Sequence, residues 1–106
     1  MSAPRAVTVG TEVKRIVGYS ATRTVVMIFN NSDQTVYIGT GEGLTTENGF
    51  PIAPNQALVL AREFGDDPTL NYYAVVSTGT ADLRVWEGYG NTIGYYLSQL
   101  VELMKR

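Results

Sequence analysis

The 106-residue chain contains no cysteine and no histidine. Their absence removes disulfides, thiolate nucleophiles, the usual zinc ligands and the one side chain that titrates unperturbed near neutral pH. A serine, threonine or tyrosine nucleophile would need Lys14, Lys105, a carboxylate or the N-terminal amine as its base, and no motif pairs them. Charge is also sparse. Only 17% of residues are Asp, Glu, Lys or Arg, with a net charge of −2, so there is no basic footprint for nucleic acid. No apolar run approaches the ~20 residues that span a bilayer, and Met-Ser-Ala-Pro-Arg at the start lacks the apolar stretch of a secretory signal. These absences predict a protein that is not an enzyme, holds no cofactor or metal, binds neither nucleic acid nor membrane, and is stabilised by packing alone.

The residues that are present describe a small globular domain. Hydrophobic residues make up 44% of the chain, with 11 glycines and 7 tyrosines. Segments 5–9 and 12–17 are rich in β-branched residues and are separated by Gly10-Thr11, which predicts a short hairpin or two edge strands. Segment 23–30 is apolar on both alternating faces and predicts a central strand covered on both sides. Asn30 to Gln34 is a turn, and 35–39 resumes a strand to close a hairpin with 23–30. A long loop covers 39–54, punctuated by Asn48-Gly49, Pro51 and Pro54. Further strands are expected at 57–61, 72–77 and 81–87, the last two joined as a hairpin by Thr78-Gly79-Thr80. The sum is a mainly β domain over 1–88, an antiparallel sandwich or barrel of about seven strands, with 5–20 as a possible arm or edge. After Gly88-Tyr89-Gly90, the residues Ile93, Tyr96, Leu97, Leu100, Val101 and Met104 recur at helical spacing behind the N-cap Asn91. That predicts an amphipathic helix over 92–105 in a C-terminal extension, 89–106, packing on its own sheet or on a neighbour.

Sites with chemistry are few. Gly39-x-Gly41-x-Gly43 is followed by no Gly-Lys-Ser/Thr, and Glu42 would repel phosphate. Glu63, Asp66 and Asp67 do not match a calcium loop, and Glu42 with Glu47 have no spacing that defines a glycosidase pair. Asn30-Asn31-Ser32 fits the N-glycosylation rule but reads as a turn. Trp86 lies on the strand face opposite Leu83 and Val85. Together with Tyr37, Tyr73, Tyr89 and Tyr95 it could form a second core layer, a protein interface or a carbohydrate platform. Charge is partitioned along the chain. Residues 1–30 hold Arg5, Lys14, Arg15 and Arg23 against Glu12, whereas 31–91 hold eight acids against Arg62 and Arg84. Such a split suits head-to-tail association between copies.

The order of features over 22–88 resembles the small all-β structural proteins of tailed phages. The resemblance rests on Ile28-Phe29-Asn30-Asn31, Val36-Tyr37-Ile38-Gly39, Leu44 to Ile52, Leu58-Val59-Leu60, Tyr73-Ala74-Val75 and Ala81 to Gly88. It implies a capsid decoration, cement or head/tail accessory subunit, assembled in the host cytoplasm and located in the virion. Such a subunit self-associates and binds neighbouring coat proteins. Arg5, Lys14, Arg15, Trp86 and the 93–104 stripe are then the expected contacts, with Glu42, Asn48 and Phe50 facing outward from the loop. The alternative reading is a receptor- or carbohydrate-binding β module.

Overall fold

The computed structural model describes residues 4–90. Eight antiparallel strands run in chain order: β1 (Arg5–Val9), β2 (Lys14–Val17), β3 (Val25–Asn30), β4 (Val36–Gly39), β5 (Phe50–Ile52), β6 (Ala57–Ala61), β7 (Tyr72–Val76) and β8 (Ala81–Gly88). A front sheet has the order β1-β8-β3-β6 and a back sheet the order β2-β7-β4-β5. The pairs β1–β8, β2–β7, β3–β6 and β4–β5 are those of one long hairpin, with β4–β5 at its tip, rolled until β8 meets β3 and β7 meets β4. This is the jelly-roll arrangement.

That rolling decides one sequence-based expectation and corrects two others. Of the two alternatives for segments 5–9 and 12–17, they are edge strands, of different sheets. Neither β3–β4 nor β7–β8 is a hairpin, because each connection crosses from one sheet to the other. A short polar turn between two strands signals reversal, but it does not say whether the reversed strand pairs or crosses. The 39–54 stretch also contains an eighth strand, since Phe50 and Pro51 pair with Ile38 and Tyr37. Proline is tolerated there because β5 is an edge.

The core lies between the sheets. The front sheet contributes Val7, Val9, Val26, Ile28, Leu83 and Val85, and the back sheet Ile16, Val17, Val36, Ile38, Ile52, Tyr72, Ala74 and Val76. From Ala81 to Val85 of β8 the buried residues are Ala81, Leu83 and Val85, the period-2 signature of a half-buried strand, and Gly88 is buried at its end. Ile16 and Val17 are consecutive yet both buried, because the β2–β7 register shifts between Arg15 and Val17 and such a shift re-aims one side chain. β3 departs from its expected burial. It is central in the sheet, but only Val26, Ile28 and Asn30 are buried, while Val25, Met27 and Phe29 on the outer face are half-exposed. The helix expected over 92–105, with Ile93, Tyr96, Leu97, Leu100, Val101 and Met104, lies outside the described residues.

Two buried polar residues tie the layers at opposite ends of β3. Arg23 is 1% exposed. Its guanidinium donates to the carbonyls of Pro68 (2.6 Å), Gly18 (2.7 Å) and Leu70 (2.9 Å), and to Glu87 Oε1 (2.9 Å). One side chain thus joins the end of β8 to the segments flanking β2 and β7. At the other end Asn30, fully buried, donates from Nδ2 to the carbonyls of Gln34 (2.6 Å) and Ile52 (2.9 Å) and accepts from Ser32 Oγ (2.6 Å). The turn-forming Asn30 of the sequence is therefore also a bridge from the front sheet to β5.

Candidate functional site

The two long sides of the sandwich differ. On one, β1 and β2 lie next to each other and close the gap between the sheets: Arg5 Nη2 donates to Ile16 O (2.7 Å), Lys14 Nζ to Thr8 O (3.0 Å), and Val76 N to Gly10 O (3.1 Å). Arg5 also lies 3.6 Å from Glu87, so its charge is part of the Arg23 network. Arg15 is exposed and lines a shallow depression with Val13, Tyr73 and Glu42. With Glu12 between the strands, this side carries Arg5, Lys14 and Arg15 against a single acid of its own elements.

On the opposite side, β5 and β6 leave an apolar cleft of about 410 Å³ whose lining includes Ile38, Phe50, Leu58, Leu60 and Tyr72. Phe50 is 60% exposed at its mouth. The β6 edge is partly guarded. Asn30 N bonds Gln56 O and Arg62 N bonds Thr24 O, so the alternation of an antiparallel ladder turns Leu58 and Leu60 to β3 and Ala57, Val59 and Ala61 outward. Asp66 caps the last of these, its Oδ2 accepting from Ala61 N (3.3 Å) and its N–H donating to Ala61 O (3.3 Å). The turn after β6 begins with the 3-10 residues Arg62–Phe64 and carries Glu63, Asp66 and Asp67 against Arg62.

Those carboxylates hold the turn instead of converging on an ion. Asp67 Oδ1 accepts from Thr69 N (3.0 Å) and from the Thr69 hydroxyl, and these donors hold its carboxyl below the usual range. Among the described residues no three acidic side chains gather at a metal-binding spacing. The Tyr72 hydroxyl donates to Asp67 O. Burial, with the negative charges of Asp67 and Asp66 second, raises its pKa above the ordinary 10.0. A raised acid keeps its proton longer in the folded state, so its stabilisation is complete below pH 10 and is lost as pH climbs through the folded value. Tyr72→Phe should cost about 1 kcal/mol at neutral pH through the lost hydrogen bond. Urea melts at pH 8 and pH 11 should show that deficit shrinking; a deficit independent of pH would contradict the raised ionisation.

The loop between β4 and β5 is not a free arm. Leu44 is buried against the outer face of the back sheet, sharing a depression with Val13, Val75 and Val76. Asn48 serves the loop itself, accepting from Thr45 N (2.7 Å) and donating to Gly43 O (3.2 Å). A Cβ on Gly49 would sit 2.7 Å from Tyr37 Cβ, which explains the glycine. Of the expected loop contacts, Glu42, Asn48 and Phe50 are all exposed, Glu42 and Phe50 on different sides. The expected aromatic cluster is split as well. Trp86, 40% exposed, is on the outer face of the front sheet, whereas Tyr37 and Tyr73 are on the outer face of the back sheet.

The front outer face is apolar across three strands. Trp86, Met27 and Val59 form one row, Gly88, Val25 and Ala61 a second, and Arg84, Phe29 and Ala57 a third. Arg84 is paired with Asp82 at its end. The sequence pattern places Trp86 but not this face, because an apolar 23–30 reads as a strand covered on both sides. The signal available is Asp82 and Arg84 on the same strand face as Trp86, alternating with the buried Leu83 and Val85. No family model, no curated protein and no solved structure matches the chain. Among the described residues no helix is long and apolar enough to cross a membrane.

Proposed function

We propose that the chain is a non-enzymatic structural subunit that assembles side by side with copies of itself and with coat proteins, as a decoration, cement or head/tail accessory protein of a virion. The observation that carries the reading is the asymmetry of the sandwich sides. A closed, basic β1/β2 side with Arg5, Lys14 and Arg15 stands opposite an open cleft with Phe50 at its mouth and Glu63, Asp66 and Asp67 beside it. Opposite charge on opposite sides orients a head-to-tail contact, which propagates around a ring or along a surface. The jelly roll serves both viral coats and lectins, so the fold supports the reading only by analogy. Trp86, exposed beside Arg84 and Asp82, supports the second reading, a carbohydrate-binding module.

Charge exchange tests the first. Arg15→Glu and Glu63→Lys should each weaken self-association about tenfold in low salt, and the double variant should recover it, as sedimentation velocity would show. A chain that stays monomeric at every concentration and salt sinks the side-by-side contact. Mass spectrometry of purified particles should find stoichiometric copies. Saturable binding to a sugar array, abolished by Trp86→Ala, would instead favour the lectin reading.

A further inference from the structure

We propose that β6 of one copy pairs edge to edge with β1 of the next, in the antiparallel register that sets Val59 opposite Ala6 and Ala57 opposite Thr8. The pairing presupposes the head-to-tail contact proposed above and gives it its strands and register. β1 and β6 are the two edges of the front sheet. Neighbours in that sheet alternate in direction throughout, so β6 runs opposite to β1. A second copy set beside the first in the same orientation therefore continues the sheet as an antiparallel one.

Backbone hydrogen bonding decides which residues meet. Asn31 N bonds Asp82 O and Asn30 N bonds Gln56 O, which fixes the alternation across all four strands. Val85, Leu83 and Ala81 turn their backbone groups to Arg5, Val7 and Val9, leaving those of Ala6 and Thr8 at the outer edge, as those of Ala57 and Val59 are on β6. Lys14 Nζ occupies one lone pair of Thr8 O, and the second remains for Ala57 N. The faces agree as well, because Ala6, Arg84, Phe29 and Ala57 form one row across the sheet. Beyond Val59, Ala61 falls opposite Pro4. Asp66 already holds the N–H and carbonyl of Ala61, and Pro4 has no N–H to give. A slip of two residues either way leaves one complete pair in place of two. In the chosen register Leu58 meets Val7 on the inner face, and Arg5 comes to the Asp66 end of β6. Pairing β6 with β6, or β1 with β1, would bring edges of the same sign together. On the back sheet Pro51 takes the middle N–H from β5, which leaves β6 the better edge on this side.

The chain has no cysteine, so single introduced thiols report the register. Directly opposite residues have Cα atoms about 5.5 Å apart, within the ~4.4–6.8 Å that a disulfide spans, whereas diagonal ones are ~7–8 Å apart. Full-length Val59→Cys mixed with Ala6→Cys and oxidised in low salt should cross-link at least about tenfold more than Val59→Cys mixed with Thr8→Cys. Val59→Pro, which loses the outward N–H where an edge strand accepts proline, should weaken association about tenfold by sedimentation velocity. Thr8→Pro, which removes the facing donor, serves where circular dichroism shows Val59→Pro unfolded. Association that answers to the Arg15 and Glu63 charge exchange, with Val59→Cys and Ala6→Cys cross-linking no better than the diagonal pair, overturns this pairing and leaves the head-to-tail reading standing. Preferential cross-linking of Val59→Cys to Ala57→Cys also overturns it and assigns β6 to a two-fold dimer. A chain that stays monomeric throughout overturns both.

Discussion

Arg23→Met is expected to lower the stability by about 3–5 kcal/mol, the combined cost of stranding three carbonyls and of taking from Glu87 the closer of its two arginines. The substitution keeps much of the volume but strands the carbonyls of Gly18, Pro68 and Leu70 and removes the short contact to Glu87. Against the 5–15 kcal/mol of a typical domain this is a large fraction, equivalent to a fall of roughly 12–40 °C in Tm for a domain of this size. Arg23→Lys should recover only part of the loss. A lysine restores the positive charge beside Glu87, but its three rotatable donors on one nitrogen cannot match a planar fork that reaches three carbonyls flanking β2 and β7 and the Glu87 carboxylate on β8. Thermal and urea melts of the three proteins decide the matter; a methionine variant within 1 kcal/mol of wild type would show that the network contributes little.

Asn30→Asp should destabilise the fold by several kcal/mol at neutral pH and by much less in acid. The amide nitrogen that donates to Gln34 O and Ile52 O becomes an oxygen, and an ionised carboxylate would face two carbonyl oxygens with no donor to offer them. Burial and these acceptors favour the neutral acid, so the folded pKa is raised above the ~3.9 of an unfolded aspartate. The sign follows from linkage: the variant is closest to wild type below that value and loses stability as pH rises through its folded pKa. A raise of about three units corresponds to ~4 kcal/mol. Asn30→Ala, which lacks the charge, should cost about 2–4 kcal/mol at all pH values through the stranded carbonyls and the cavity. Urea melts between pH 4 and pH 8 separate the two. Parallel curves for the aspartate and alanine variants would mean that the carboxylate finds donors or water at the site.

These two residues also mark the limit of what could be read before folding. Arg23 stands just ahead of an apolar run and is legible in the sequence only as one of the four cations of residues 1–30. Its burial depends on Gly18, Pro68, Leu70 and Glu87, as much as 64 residues away, turning toward one point. Asn30 was legible as a turn former, and its side chain does organise Ser32 and Gln34 locally. The bond to Ile52 exists only because the chain rolls. Within the candidate surface, strand alternation puts Trp86 on the face opposite Leu83 and Val85, where it is exposed, and Asn48 is exposed in its loop while its amide also closes its own turn.

What the sequence determined by itself is the β class and most strand positions, because alternating β-branched and polar residues make period-2 surfaces wherever they occur. The lack of histidine and cysteine likewise limited the available chemistry from the start. What tertiary structure decided is which strand pairs with which. Six of the seven connections cross between sheets, and a crossing is set by the global burial of two apolar faces, not by the few residues of the turn. The same packing placed Lys14 and Arg15 opposite the acidic turn after β6. It also left Val25, Met27 and Phe29 facing away from the core.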